Sequence, residues 1–161
     1  MIFVSVGTEH FPFDRLVQAV DEASQGLGGE EVFIQLGEGR YIPRTSAWSR
    51  FLSFPEMVAR VSSARIVVTH AGAGSILLCA RQGKVPIVMA RRRSFGEHVD
   101  DHQVELAQRL AELGYVLLAQ SPEELGALLK DYPRRSAVRK QPQSTCRELA
   151  QDLSAYLDAK L

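Results

Sequence analysis

Apolar positions along the chain follow two patterns. Short unbroken runs rich in Val and Ile read as buried strands, and stretches with apolar residues three and four apart read as helices. The runs predict strands over 2–6, 32–36, 65–69, 85–89 and 115–119, with a short strand or extended turn over 51–54. Between the first two, Leu16, Val17, Val20, Ala23 and Leu27 share one helical face until Gly26, Gly28 and Gly29 end it. Residues 55–61 fit a short helix with Pro55 in its first turn, 75–82 a second, and 98–113 a longer one with Val99, Leu106, Leu110 and Leu113 on one side. Ser121-Pro122-Glu123-Glu124 supplies an N-cap, a Pro at the first helical position and an acidic first turn, for a helix ending near Tyr132 and Pro133. The stretch 40–50, with Pro43 and Trp48, is expected to be irregular.

Beyond these elements, 133–143 reads as a basic linker. Thr145 and Glu148 form a capping-box pair that opens a final helix over 144–161, with Leu149, Leu153, Tyr156 and Leu157 on one face. That helix packs either on its own sheet or on a partner. The strands are apolar throughout rather than alternating, which is the signature of strands buried on both faces. The prediction is an α/β fold: a Rossmann-like parallel sheet with helices on both faces, in one domain with a core over 1–132.

Ligands of such sheets bind outside the carboxyl ends of the strands. Here those ends are Gly7-Thr8, Gln35-Leu36-Gly37, Thr69-His70 and the loop after Met89. The most informative of them is Thr69-His70-Ala71-Gly72-Ala73-Gly74-Ser75, a small-residue loop running from a strand into a helix. It aims unpaired N–H groups and the positive end of a helix dipole at one spot, where a phosphate or pyrophosphate is the usual occupant. Tight strand-to-helix packing without a ligand produces the same spelling. The loop lacks the GxGxxG dinucleotide fingerprint, and no Gly-Lys-Ser/Thr follows it.

Bulk composition narrows the class. A chain of 161 residues, 45% apolar and 24% charged, is long enough for a sizeable core. A formal net charge of zero argues against a dedicated nucleic-acid binder. Cys79 and Cys146 are too few for a disulfide framework or a Cys-rich zinc site. No apolar stretch approaches the ~20 residues that span a bilayer, and the first residues read as a strand rather than a signal peptide. The expectation is a cytoplasmic protein whose membrane contact is peripheral or through a partner.

Four motifs in order resemble glycosyltransferase family 28: Val6-Gly7-Thr8 with Pro12-Phe13-Asp14-Arg15-Leu16; Gln35-Leu36-Gly37; the loop Thr69 to Ser75; and Gly96-Glu97-His98-Val99-Asp100-Asp101-His102-Gln103. The resemblance covers about residues 1–120 and, more narrowly, is to catalytic subunits of split, two-chain UDP-sugar transferases. These include bacterial polysaccharide subunits of PssE type and the eukaryotic dolichol-linked N-acetylglucosaminyltransferase subunit. The last motif favours the bacterial branch. The resemblance implies the donor-binding, C-terminal half of a GT-B fold and a UDP-sugar donor. It also implies inverting transfer to a lipid-linked saccharide in exopolysaccharide or capsule synthesis. A membrane-anchored acceptor-binding subunit of PssD type would complete the enzyme and hold it at the inner membrane face. No metal and no cofactor are implied.

On that reading Gly72, Ala73, Gly74 and Ser75 bind the diphosphate through backbone N–H groups and the Ser75 hydroxyl, with Gly7 and Thr8 beside them. His70 either touches the ligand or satisfies local structure; it is a possible catalytic group, although the general base fits better on the partner. Asp101, His102 and Gln103 suit the hydroxyls of the donor sugar, or merely complement a helix dipole. Phe54 is either part of an apolar wall for uracil or core. The family often carries an acid for the ribose six or seven residues after the first loop glycine, where this chain has Leu78 and Cys79. Arg91-Arg92-Arg93 is either a solvated face or a contact to a donor anion or anionic lipid. His98 and His102 lack an obvious third ligand, so no metal site is expected. The competing readings are a non-catalytic UDP-sugar-binding or regulatory subunit and an epimerase-like half domain, for which the chain is too short. Isolated, the chain would expose its partner face and is a candidate homodimer.

Overall fold

A computed structural model describes residues 1–137 and 142–160. Six parallel strands form one sheet in the order β3-β2-β1-β4-β5-β6. They are β1 (Ile2–Ser5), β2 (Val32–Gln35), β3 (Ala47–Ser49), β4 (Ile66–Thr69), β5 (Ile87–Val88) and β6 (Leu117–Leu118). The helices are α1 (Asp14–Ser24), α2 (Phe54–Ser63), α3 (Ala73–Arg81), α4 (His102–Glu112), α5 (Pro122–Lys130), α6 (Tyr132–Ala137) and α7 (Pro142–Lys160).

Alternate residues of each strand pack against opposite layers. Val4, Ile34, Val68 and Ile87 meet α1 and α5 through Leu16, Val20, Leu125 and Leu129. On the other face Phe3 and Val67 meet Val61 and Cys79, and Val88 and Val116 join Ile76, Leu106, Leu110, Leu149 and Leu153. The sheet is therefore covered on both sides, as its apolar strands require. α7 packs on α3 of its own domain. Its Leu149 and Leu153 are buried there, and Tyr115 donates to Asp152 at 2.7 Å.

The strand order reverses between β1 and β4, and in open α/β sheets the crevice at such a point takes the ligand. In register, Ser49, Gln35, Ser5 and Thr69 form one row across the last residues of β3, β2, β1 and β4. An apolar sheet thus ends in a polar lip at the switch point.

Several expectations are corrected. The stretch 40–50 contains the edge strand β3, whose pairing continues through Leu36 N–H to Ser49 O at 3.0 Å and Gly37 N–H to Arg50 O at 2.8 Å. Its three residues carry no hydrophobic pattern, so no local signal marks them. Of the strand or extended turn expected over 51–54, no strand forms: residues 51–53 have no regular structure, Ser53 caps α2 in a capping box with Glu56, and Phe54 is the first helical residue. The helix expected from residue 98 starts at His102, because Asp100 accepts the His102 N–H at 3.0 Å and residues 98–101 bend. α3 begins at Ala73, two residues before Ser75. Part of the expected linker is the helix α6, and residues 138–141 of it lie outside the described residues. α7 starts at Pro142, so Thr145 is inside it rather than capping it; the Thr145 side chain lies outside the described residues.

Candidate functional site

Gln35 organises the first wall of the site. Its side-chain Oε1 accepts from the Ser5 hydroxyl at 2.8 Å and from Gly7 N–H at 3.2 Å, while its Nε2 donates to Gly7 O at 3.0 Å and Arg50 O at 2.8 Å. The turn after β1 is gripped on both sides of Gly7, whose φ is +79°. A Cβ there would lie 2.5 Å from His70 Nε2, and one at Gly72 would meet the same ring closer still. Glycine at these two positions makes room for the imidazole between two backbone segments.

Gly74 differs. A Cβ there would meet nothing within 4 Å. It lies in the first turn of α3, whose N-cap residue Gly72 provides no side-chain cap. The first-turn N–H groups of Ala73, Gly74 and Ser75 have no intrahelical acceptor and face outward with the positive end of the helix dipole. The adjoining pocket of about 350 Å³ includes Gly7, Thr8, His70, Gly72, Gly74 and Ser75 in its lining. Thr69 also lines it, only 1% exposed, with a hydroxyl that has no hydrogen-bond partner among the described residues. Buried hydroxyls are seldom left so.

His70 is almost fully buried. Its Nε2 lies 3.3 Å from the Ser75 hydroxyl and its Nδ1 3.3 Å from Gln103 Nε2. Burial first, then the nearby Arg91 charge, lowers its pKa to about 4, so the ring is neutral at physiological pH. Gln103, expected as a sugar contact, is buried behind that ring, and its Oε1 accepts Arg91 N–H at 3.3 Å.

The arginine run divides. Arg91 is 0% exposed and donates to Val6 O at 2.6 Å, Phe11 O at 2.7 Å and Glu97 O at 3.1 Å, tying the loop after β5 to the loop after β1. Burial pulls its pKa below the usual guanidinium range. Arg15 and Glu97 form a bidentate pair at 2.9 and 3.0 Å, and Glu97 also accepts Arg92 N–H at 2.9 Å. Arg93 is exposed, so the solvated-face reading fits this residue and not Arg91.

The apolar flank of the pocket is Phe54, Met57, Val61, Leu78 and Cys79. Phe54 is 73% exposed at its rim and is not core. Burial pushes the Cys79 thiol up to about 12, so this wall holds a neutral thiol where the family often has an acid. Glu9 brings a carboxylate to the lining. Thr8, Asp101 and His102 are exposed, and Asp101 accepts Arg93 N–H at 2.9 Å. The His102 ring bonds Asp100, and His98 Nδ1 lies 3.5 Å from the same carboxylate. Asp100 is thus the third group that sequence spacing did not offer, and the three ligand atoms fall within 4.8 Å of one another. Sequence reasoning passed over Ser5, Thr69 and the clamp role of Gln35. Their signal is a polar residue closing an otherwise apolar strand.

The profile of the glycosyltransferase family 28 C-terminal domain matches residues 1–155. The chain belongs to this family. UDP-N-acetylglucosamine transferase subunit ALG13 of Cryptococcus neoformans var. neoformans is 34% identical over 101 residues, 60% of this chain and 49% of that protein. The human protein of the same name is 28% identical over 125 residues, 71% of this chain and 10% of that protein. This family 28 chain therefore spans less than half the length of these relatives. Its fold recurs in the crystal structure of the glycotransferase of kitacinnamycin, with a TM-score of 0.67 at 19% identity, covering 93% of this chain and 38% of that one. Such glycosyltransferases are GT-B proteins, and this family 28 chain has the fold of one half.

Proposed function

We propose that this family 28 chain is the donor-binding catalytic subunit of a two-component, inverting UDP-sugar glycosyltransferase. The observation that carries the reading is the first turn of α3: it has no side-chain cap and lines one pocket with the Thr69 hydroxyl, which has no partner among the described residues, at the switch point of the sheet. The name of the fungal and human relatives, a UDP-N-acetylglucosamine transferase subunit, supports both the nucleotide and the need for a partner.

Negative charge grows on the leaving UDP as the bond to the sugar breaks. The N–H groups of Ala73, Gly74 and Ser75, with the Ser75 hydroxyl, are fixed donors for that charge, a role that a divalent metal fills elsewhere. On this reading transfer needs no bound metal or cofactor. Uracil rests against Phe54, Met57 and Val61, while Thr8, Asp101 and His102 lie towards the sugar. A neutral His70 with a pKa of about 4 is a poor general base at neutral pH. The base that deprotonates the acceptor then belongs to a membrane-anchored, PssD-type subunit. The acceptor is a lipid-linked saccharide of exopolysaccharide or capsule synthesis, at the cytoplasmic membrane face. No helix among the described residues is long and apolar enough to cross a membrane.

Calorimetric titration with UDP and a panel of UDP-sugars, with and without magnesium, tests the reading. Saturable, metal-independent UDP binding that is lost in Gly74→Asp is expected. Failure to bind any uridine nucleotide, alone and with the acceptor-side subunit present, overturns it.

A further inference from the structure

The assignment of UDP to the first turn of α3 leaves open what Gln103 does, since it is buried and far from a free sugar-binding role. Its amide has an orientation that can be deduced. Arg91 N–H is a backbone donor, so the group it meets at 3.3 Å must be the carbonyl oxygen of the Gln103 amide. The other end, Nε2, then faces His70 Nδ1 at 3.3 Å and has only protons to offer. Nδ1 must accept, and a neutral imidazole with an accepting Nδ1 holds its proton on Nε2. That Nε2–H points at the Ser75 hydroxyl, 3.3 Å away. The Ser75 oxygen is thereby the acceptor of this bond, and its own hydrogen is free to turn into the pocket that Ser75 lines.

From this chain of donors and acceptors we infer that Gln103 is a positioning residue for anion binding: it fixes the Nε2–H tautomer of His70, which in turn makes the Ser75 hydroxyl a donor towards the diphosphate. The direction is set from outside the site, by a backbone N–H of the loop after β5, and ends at the helix that would hold the ligand. The reverse tautomer would turn the Ser75 hydroxyl back onto His70 and present a lone pair to the anion. Gly7 and Gly72 hold the ring between them, so it stays in the plane this relay needs. The inference rests on the donor-site reading for the identity of the anion, and not for the tautomer itself.

The test begins without ligand. In uniformly ¹⁵N-labelled protein, long-range proton–nitrogen correlation reports which imidazole nitrogen of His70 carries the proton. The expected result is a protonated Nε2 and an unprotonated Nδ1. In Gln103→Met, similar in size but unable to donate, the ring is expected to show a mixture of tautomers, and UDP affinity by calorimetry is expected to fall about tenfold, the loss of one hydrogen bond to a charged group. Ser75→Ala should lose a similar factor while the tautomer stays unchanged. A proton on Nδ1 in the unsubstituted protein overturns the inference, and this result is readable even if Gln103→Met does not fold. An unchanged tautomer or unchanged UDP affinity in folded Gln103→Met also overturns it. An Nε2–H tautomer that depends on Gln103, in a protein that binds no UDP either alone or with the acceptor-side subunit, supports the relay and refutes the donor reading instead.

Discussion

Two groups of adjacent backbone N–H donors meet opposite fates in this molecule. In the loop before β3, the N–H groups of Arg44, Thr45 and Ser46 converge on Asp21 of α1 at 2.7, 3.1 and 3.1 Å, and the Tyr41 and Thr45 hydroxyls donate to the same carboxylate, each at 2.9 Å. At the start of α3, the N–H groups of Ala73, Gly74 and Ser75 follow an N-cap glycine that offers no side chain. The first set is closed by an anion built into the sequence. The second has no side-chain cap, and on the proposed function a diphosphate takes that place. The chain closes such groups elsewhere too, with Ser53 and Glu56 on α2 and with Ser121 on α5. α1 and α4 also start without a side-chain cap, so what distinguishes α3 is that its uncapped first turn lines the pocket at the switch point of the sheet.

The sharpest way to break this contrast is to give α3 an internal anion. Gly74→Asp should lower UDP affinity by at least about a hundredfold, through repulsion of the diphosphate, while thermal stability stays level or rises by about 0.5 kcal/mol, because an acid in a helix's first turn complements the dipole. Binding and stability moving in opposite directions would separate this effect from misfolding. The converse change removes the built-in anion. Asp21→Ala should destabilise the fold by about 3 kcal/mol in denaturant melts, since buried N–H groups lose their acceptor. UDP affinity should stay within about threefold at temperatures where the variant is folded, the two sites being separate.

Acid titration gives a graded version of the same loss. Burial alone would raise the Asp21 pKa, but the bonds from the Arg44 amide, Thr45 and Tyr41 outweigh it and bring the carboxyl from 3.8 to about 2. A depressed folded-state pKa means the stabilisation is complete above pH 3.8 and declines as pH falls towards 2. Melting temperature measured across that window should drop more steeply in the unsubstituted protein than in Asp21→Asn. The smallest effect belongs to a capped helix beside the pocket. Ser53→Ala should cost about 1 kcal/mol of stability and leave UDP affinity unchanged.

How much of this was legible in the sequence depended on range. Ser121-Pro122 marks the start of α5 to the residue because a cap is a contact between near neighbours. The loop from Thr69 to Ser75 announces an uncapped helix start for the same reason. β3 escaped because its existence rests on hydrogen bonds to β2 and on Asp21, more than twenty positions away, and its own residues are mostly exposed. Arg91 escaped because three adjacent arginines look alike in a sequence, and only the fold distinguishes the one that threads between two loops. Gln103 stood beside His102 in one motif, yet helix geometry sends its side chain inward and leaves His102 outside.

The placement of His70 between Gly7 and Gly72 also bears on motion. Exchanging the two ring nitrogens requires the imidazole to turn about its Cβ–Cγ bond, and the backbone at Gly7 and Gly72 lies so near the ring that neither position has room for a Cβ. The Gln35 clamp holds one of these two segments in place. His70 is accordingly a fixture rather than a swinging arm. The pocket that the ring lines therefore presents one fixed arrangement of its two nitrogens.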